Sequence, residues 1–123
     1  HHIVLTRAQI QQAQNEVLAI HMSTAVEDYL VQLVLASRNP SAYGDDLSRW
    51  VSYGSSPRGT IALDRCARAH AWLTKRDYVS PEDVQSVAYN VLRHRILLSF
   101  EAEAEGMSPD DLIHELIKRV PVS

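Results

Sequence analysis

Two short stretches, Ser80-Pro81-Glu82-Asp83 and Ser108-Pro109-Asp110-Asp111, carry the same helix-initiation signal and constrain the fold more than any other feature. In each, a serine stands at the N-cap and a proline at the first helical position. The proline lacks an N–H that would go unpaired there anyway, and the two acids complement the positive helix end. The first signal predicts a helix to about Arg93 and the second a helix ending near Val120. Upstream, Thr6 caps a helix over Arg7 to about Ile20, with Ile10, Val17 and Leu18 at helical spacing. Ser23 caps another helix with an apolar stripe of Val26, Leu30, Leu33 and Val34, which stops before Asn39-Pro40 because a residue preceding proline avoids the α region. Asn39 to Asp46, with Pro40 and Gly44, reads as a surface loop, and Leu47 to Tyr53 as an extended segment. Ser56 as cap and Pro57 as first residue predict a long helix from Pro57 to about Arg76, followed by the connector Asp77-Tyr78-Val79. The run Ile96 to Phe100 is too short for its period to decide its class.

The expected fold is therefore mainly α: a small helical bundle with at most a short two-stranded β element. At 123 residues and 46% apolar content, the chain can bury one core, and it shows no internal repeat. His1 and His2 read as the stub of a purification tag, leaving 3–123 as a single domain. Twelve Lys and Arg against fifteen Asp and Glu, for a net charge of −3, give no global attraction to nucleic acid. No apolar run reaches the roughly 20 residues a membrane span requires. One cysteine excludes an internal disulfide and a cysteine-rich zinc module, and fits a reducing, cytoplasmic setting.

Gly54-Ser55-Ser56-Pro57-Arg58-Gly59-Thr60 has the glycine spacing of a phosphate-cradling P-loop. It lacks the lysine that must precede the final hydroxyl residue, and Pro57 removes a cradle N–H. The P-loop reading fails. A different anion reading survives, because Arg58 falls in the first turn of a long helix, where free N–H groups and the macrodipole favour negative charge. The guanidinium adds a fork for phosphate oxygens. The plain alternative is an exposed arginine at a helix start.

On a helical wheel, Ala62, Cys66, Ala69 and Leu73 share a narrow apolar sector that Leu63 and Ala67 extend, so Cys66 is expected to be a buried small hydrophobe. Arg58, Arg65, Arg68, Lys75 and Arg76 crowd the flank against the single acid Asp64, a local charge of +4. Glu101, Glu103, Glu105, Asp110 and Asp111 oppose them. The flank is either solvated and internally paired, or a surface for an acidic partner. His21, His70, His94 and His114 show no metal-ligand spacing; His70 reads as a hydrogen-bonded boundary residue, and no metal site is expected. No nucleophile–base pair is visible, so the chain carries no catalytic machinery of its own.

Several blocks in order, namely Gly54 to Arg58, Ile61-Ala62-Leu63, Ala67-Arg68-Ala69, Arg76 to Val84, Val91 to Ile96 and Glu101 to Gly106, resemble the C-terminal lid of MoxR-type AAA+ ATPases. The resemblance runs from about Val4 to the end. Gly59 departs from it, since such lids often carry alanine there. The resemblance implies a helical lid following an α/β core that holds Walker A, Walker B and sensor 1. It makes Ser56-Pro57-Arg58 the sensor 2 turn, and Arg58 the arginine reaching ATP, in cis or in trans. ATP and Mg²⁺ belong to the parent protein; none is bound by the lid alone. It further implies a homo-oligomeric ring, commonly a hexamer. Chaperone-like work in maturation of, or metal insertion into, client proteins goes with it, with von Willebrand factor A-domain proteins as partners. The rival reading is a stand-alone helical module that binds protein or nucleic acid through Arg65, Arg68, Lys75 and Arg76. The long helix offers no Asn or Gln to bases, which places that reading second.

Overall fold

The computed structural model describes residues 6–122, so the tag reading of His1 and His2 lies outside the described residues. Its elements are α1 (Arg7–Leu18), α2 (Thr24–Arg38), a 3₁₀ turn (Pro40–Tyr43), α3 (Asp45–Trp50), β1 (Val51–Tyr53), α4 (Arg58–Leu73), α5 (Pro81–Leu92), β2 (Leu97–Leu98), α6 (Phe100–Ala104) and α7 (Pro109–Arg119). The described residues form a mainly helical bundle with one two-stranded antiparallel sheet, as the patterning predicts.

The initiation signals act as read. Ser80 and Ser108 each accept the N–H of the residue three positions on, Asp83 and Asp111, whose carboxylates return a bond to the cap N–H. Thr6 and Gln9 close the same reciprocal box on α1. The stripe of α2 is buried throughout, and Leu33 has no exposed surface. Around it stand Leu47 of α3, Leu63, Ala67 and Ala71 of α4, Val84, Ala88 and Leu92 of α5, and Leu112, Ile113 and Leu116 of α7. The buried alanines let α4 and α5 pack closely, with little side-chain volume between the backbones.

Three expectations are corrected. The segment assigned to loop and extended chain contains helix: Pro40–Tyr43 is a 3₁₀ turn and Asp45–Trp50 is α3. The cause is tertiary. Asp46 accepts the Leu47 N–H at 3.0 Å and is clamped by Arg119 at 2.6 and 2.7 Å, which winds the turn and buries Leu47. The strand is confined to Val51–Tyr53, with Val51 opposite Leu98, Tyr53 opposite Leu97 and an irregularity between them. Helix α1 ends at Leu18 and buries none of its residues; Ile10 is 43% and Leu18 59% exposed, while Ile20, beyond the helix, joins the core.

The third correction concerns α4. Its buried face is Gly59, Leu63, Ala67 and Ala71, rotated by about 110° from the sector centred on Ala62, Cys66, Ala69 and Leu73. Cys66 is exposed, and Leu73 is 71% exposed. Alanine and cysteine weigh little in either direction on a wheel, so Leu63 and the closeness of α5 decide which face is turned inward.

Candidate functional site

The corner between β1 and α4 is built on the last turn of α2. Ser37 is fully buried; its hydroxyl donates to the Val34 carbonyl at 2.7 Å and accepts the Ser55 N–H at 3.0 Å. Gly54 lies directly on the Ser37–Arg38 peptide, where a Cβ would overlap the Ser37 carbonyl oxygen and come within 2.6 Å of the Arg38 nitrogen. Ser55 is buried, and its hydroxyl donates to the Ser56 carbonyl at 3.0 Å. The chain then turns into α4 through Pro57 (φ −55°, ψ −23°).

Ser56 does not cap α4 with its side chain, contrary to the sequence reading; the helix has no side-chain cap bond. Backbone closure replaces it: Gly59 N–H donates to the Ser56 carbonyl at 2.9 Å and Thr60 N–H to the Pro57 carbonyl at 3.0 Å. Two of the N–H groups expected to attract an anion are therefore occupied. What remains is the Arg58 side chain, which is exposed and has no hydrogen-bond or ion-pair partner among the described residues. The corner thus holds a rigid backbone beneath a guanidinium free to meet an anion from outside.

The other cations of α4 divide. Arg68 turns inward, pairing with Asp64 at 2.6 Å and donating to the Ile20 carbonyl. Arg76 grips Asp83 through both nitrogens at 2.8 and 2.5 Å and lies 5.6 Å from the Tyr78 ring centroid. Arg65 and Lys75 remain exposed. Three of the five acids expected to face this flank are engaged elsewhere: Glu105 accepts the Trp50 indole N–H at 2.9 Å, Asp110 pairs with Arg93 at 2.7 Å and Asp111 accepts the Ser108 N–H at 2.9 Å, while Glu101 and Glu103 are exposed. Among the described residues no group of three or more His, Cys, Asp or Glu gathers to hold a metal ion.

Residues 47–116, which contain the whole corner, match the AAA lid domain. The chain belongs to the AAA lid domain family. Chaperone MoxR1 of Mycobacterium tuberculosis is 40% identical over 97 residues, covering 78% of this chain and 26% of that protein. Protein MoxR of Paracoccus denitrificans is 40% identical over 109 residues, covering 83% and 32%. The crystal structure of a candidate ATPase from Cytophaga hutchinsonii superposes with a TM-score of 0.89 at 39% identity, over 94% of this chain and 36% of that one. The lid is thus of MoxR type, and it spans about a third of the length of the relatives it matches.

Sequence reasoning missed the centre of the lid's polar interior. Asp83, read only as a complement to a helix dipole, is 1% exposed and accepts from Arg76, from the Ser80 backbone and hydroxyl, and from His70 Nδ1 at 2.6 Å. Burial pushes its carboxyl upward, but the bonds from Arg76, the Ser80 N–H, His70 and the Ser80 hydroxyl outweigh this and bring it to about 2. His70 is indeed a hydrogen-bonded boundary residue. A signal was available, since a capping-box acid seven residues beyond an arginine and thirteen beyond a histidine can reach both once two helices fold back on each other.

Gly59 has a local reason too. A Cβ there would strike the Ser55 hydroxyl, with the Ser55 Cβ at 3.3 Å. Alanine is favoured over glycine in a helix by about 1 kcal/mol, so propensity alone predicts that Gly59→Ala stabilises the lid. The packing predicts the reverse: a loss of about 1 kcal/mol, recovered when Ser55→Ala is added. Urea titration of the two single variants and the double variant checks this, and a stabilised Gly59→Ala lid would contradict it.

Proposed function

We propose that the lid works as the sensor 2 element of a MoxR-type AAA+ ATPase, offering Arg58 to the phosphates of a nucleotide held mainly by an α/β core of the same protein. The observation that carries this reading is the exposed Arg58 guanidinium, unpaired among the described residues, on a corner whose backbone is pinned at Gly54, Ser55 and Gly59. ATP with its Mg²⁺ supplies the phosphoryl chemistry when bound in the parent protein. Arg58 donates charge-assisted hydrogen bonds to phosphate oxygens, with Ser56 and Pro57 fixing the direction from which it does so. As a rigid body, the lid then converts nucleotide state into movement between subunits of a homo-oligomeric ring, commonly a hexamer.

The name Chaperone MoxR1 of one relative supports chaperone work; beyond it, the maturation of, or metal insertion into, client proteins, von Willebrand factor A-domain partners and a cytoplasmic setting rest on the MoxR resemblance alone. The partner surface of the α4 flank reduces to Arg65 and Lys75, because Arg68 and Arg76 are committed to Asp64 and Asp83. That thinning of the flank weighs against the stand-alone binding module.

In the complete ATPase, Arg58→Ala is expected to lower steady-state ATP turnover by about tenfold or more, the value of one charged hydrogen bond. Arg58→Lys should recover only part of the loss, since an ammonium cannot fork onto two oxygens. Far-ultraviolet circular dichroism of both variants should match the wild type. Wild-type turnover in Arg58→Ala, with unchanged nucleotide affinity, would overturn the reading.

A further inference from the structure

Three polar or charged residues are buried among the described residues: Ser37, Ser55 and Asp83. Asp83 is accounted for by the ion pairs and the cap that join α4 to α5. Ser37 and Ser55 answer each other. Ser37 is the penultimate residue of α2 and has no exposed surface. Alanine would suit both the helix and the apolar surroundings better, since a buried hydroxyl is costly unless it is bonded. The hydroxyl is used at both ends: its proton goes to the Val34 carbonyl at 2.7 Å, and its oxygen accepts the Ser55 N–H at 3.0 Å. Among the described residues, that second bond is the one hydrogen bond between α2 and residues 54–58. Ser37 also lies outside residues 47–116, the stretch that matches the AAA lid domain.

We infer that Ser37 is a positioning residue for ATP hydrolysis: its hydroxyl holds the Ser55 N–H and so sets the direction from which Arg58, three residues on, meets phosphate. The inference rests on the sensor 2 reading of Arg58. Gly54 fixes how near the turn comes to α2, because it faces the Ser37–Arg38 peptide with no room for a Cβ. Such a contact leaves the rotation of the turn open, whereas a hydrogen bond has a preferred direction and fixes it. Arg58 carries its guanidinium at the end of a long side chain, so a small rotation at the turn becomes a displacement of about 1 Å at the tip, and a misplacement of that size can cost about a hundredfold in rate. Helix α2 thereby joins the nucleotide response: a movement of its last turn reaches Arg58 through one hydroxyl.

Steady-state ATP turnover of the complete ATPase, measured for Ser37→Ala, Arg58→Ala and the double variant, tests this. Ser37→Ala is expected to lower turnover by about threefold to tenfold. In the Arg58→Ala background the same change should alter turnover by less than about 1.5-fold, because a residue acting through Arg58 has nothing left to aim. A purely structural role would lose the same factor in both backgrounds. Ser37→Cys, similar in size but with a weak acceptor, should fall between wild type and Ser37→Ala, and it takes the place of Ser37→Ala in the cycle should the alanine variant fail to fold by circular dichroism. If Arg58→Ala lowers turnover while the Ser37 variant matches the wild type, or loses equally in both backgrounds, the inference is overturned and the sensor 2 reading stands. Wild-type turnover in Arg58→Ala overturns both.

Discussion

Gly54→Ala is expected to lower the melting temperature of the lid by about 10 °C or more. The added carbon would overlap the Ser37 carbonyl oxygen, and its other near neighbours are the Ser37 carbonyl carbon and the Arg38 nitrogen. All three belong to the backbone of α2, so no side chain can rotate away. The turn must separate from the end of α2, which breaks the bond from Ser55 N–H to the Ser37 hydroxyl and exposes the two buried serines. Overpacking of this kind costs about 3 kcal/mol, and for a domain of this size each kcal/mol moves the midpoint by about 3–5 °C. The effect reaches function, since the same turn aims Arg58. A Gly54→Ala variant of the complete ATPase that still folds should therefore lose turnover as well. Differential scanning calorimetry measures the first effect, and a melting temperature within about 2 °C of wild type would show that the turn yields more easily than its contacts imply.

Asp83→Asn is expected to cost about 2–3 kcal/mol at neutral pH. The carboxylate joins the C-terminal end of α4, through His70 and Arg76, to the first turn of α5. Asparagine keeps the shape and part of the capping box but leaves Arg76 without its counter-charge. Because Arg76 is 29% exposed, water recovers some of that loss, and the cost stays below that of a fully buried pair. The pH dependence has a definite sign. The folded carboxyl, near 2, lies below its unfolded value of about 3.9, so its contribution is fully present above about pH 5 and is lost progressively as pH falls through both values towards about pH 1. Asp46 beside Arg119, Asp110 beside Arg93 and Asp111 in its Ser108 box are lowered as well, and they add to the acid loss in the wild type. The difference between wild type and Asp83→Asn isolates the Asp83 share: it should be largest near neutral pH and fall to a small remainder by about pH 2. Urea midpoints recorded across that range test it, and a constant difference would mean that the charge on Asp83 contributes nothing to the fold.

The parts legible in the sequence were those written in local chemistry. Capping serines followed by proline and acids fixed the starts of α5 and α7, and the i, i+4 leucines and valines fixed the buried face of α2. The parts not legible depend on distant partners. Helix α3 forms because Arg119, some seventy positions on, clamps Asp46. The inward face of α4 could not be chosen from a wheel on which alanine stands on every side, and α5 makes the choice. At the site, the sequence located the Ser-Pro-Arg turn but assigned the cap to Ser56, whereas backbone bonds at Gly59 and Thr60 do that work. Asp83 was hidden because one residue serves as helix cap and as buried counter-ion, and only the first role leaves a local signature.

The claim on which the functional account rests is that Arg58 meets phosphate. A structure of the complete ATPase with a non-hydrolysable ATP analogue and Mg²⁺ measures it directly. Arg58 nitrogens are expected about 2.7–2.9 Å from phosphate oxygens of a bound nucleotide, with the Gly54–Arg58 turn unchanged. An Arg58 side chain directed away from every nucleotide in the assembly, or paired with a carboxylate, would contradict it.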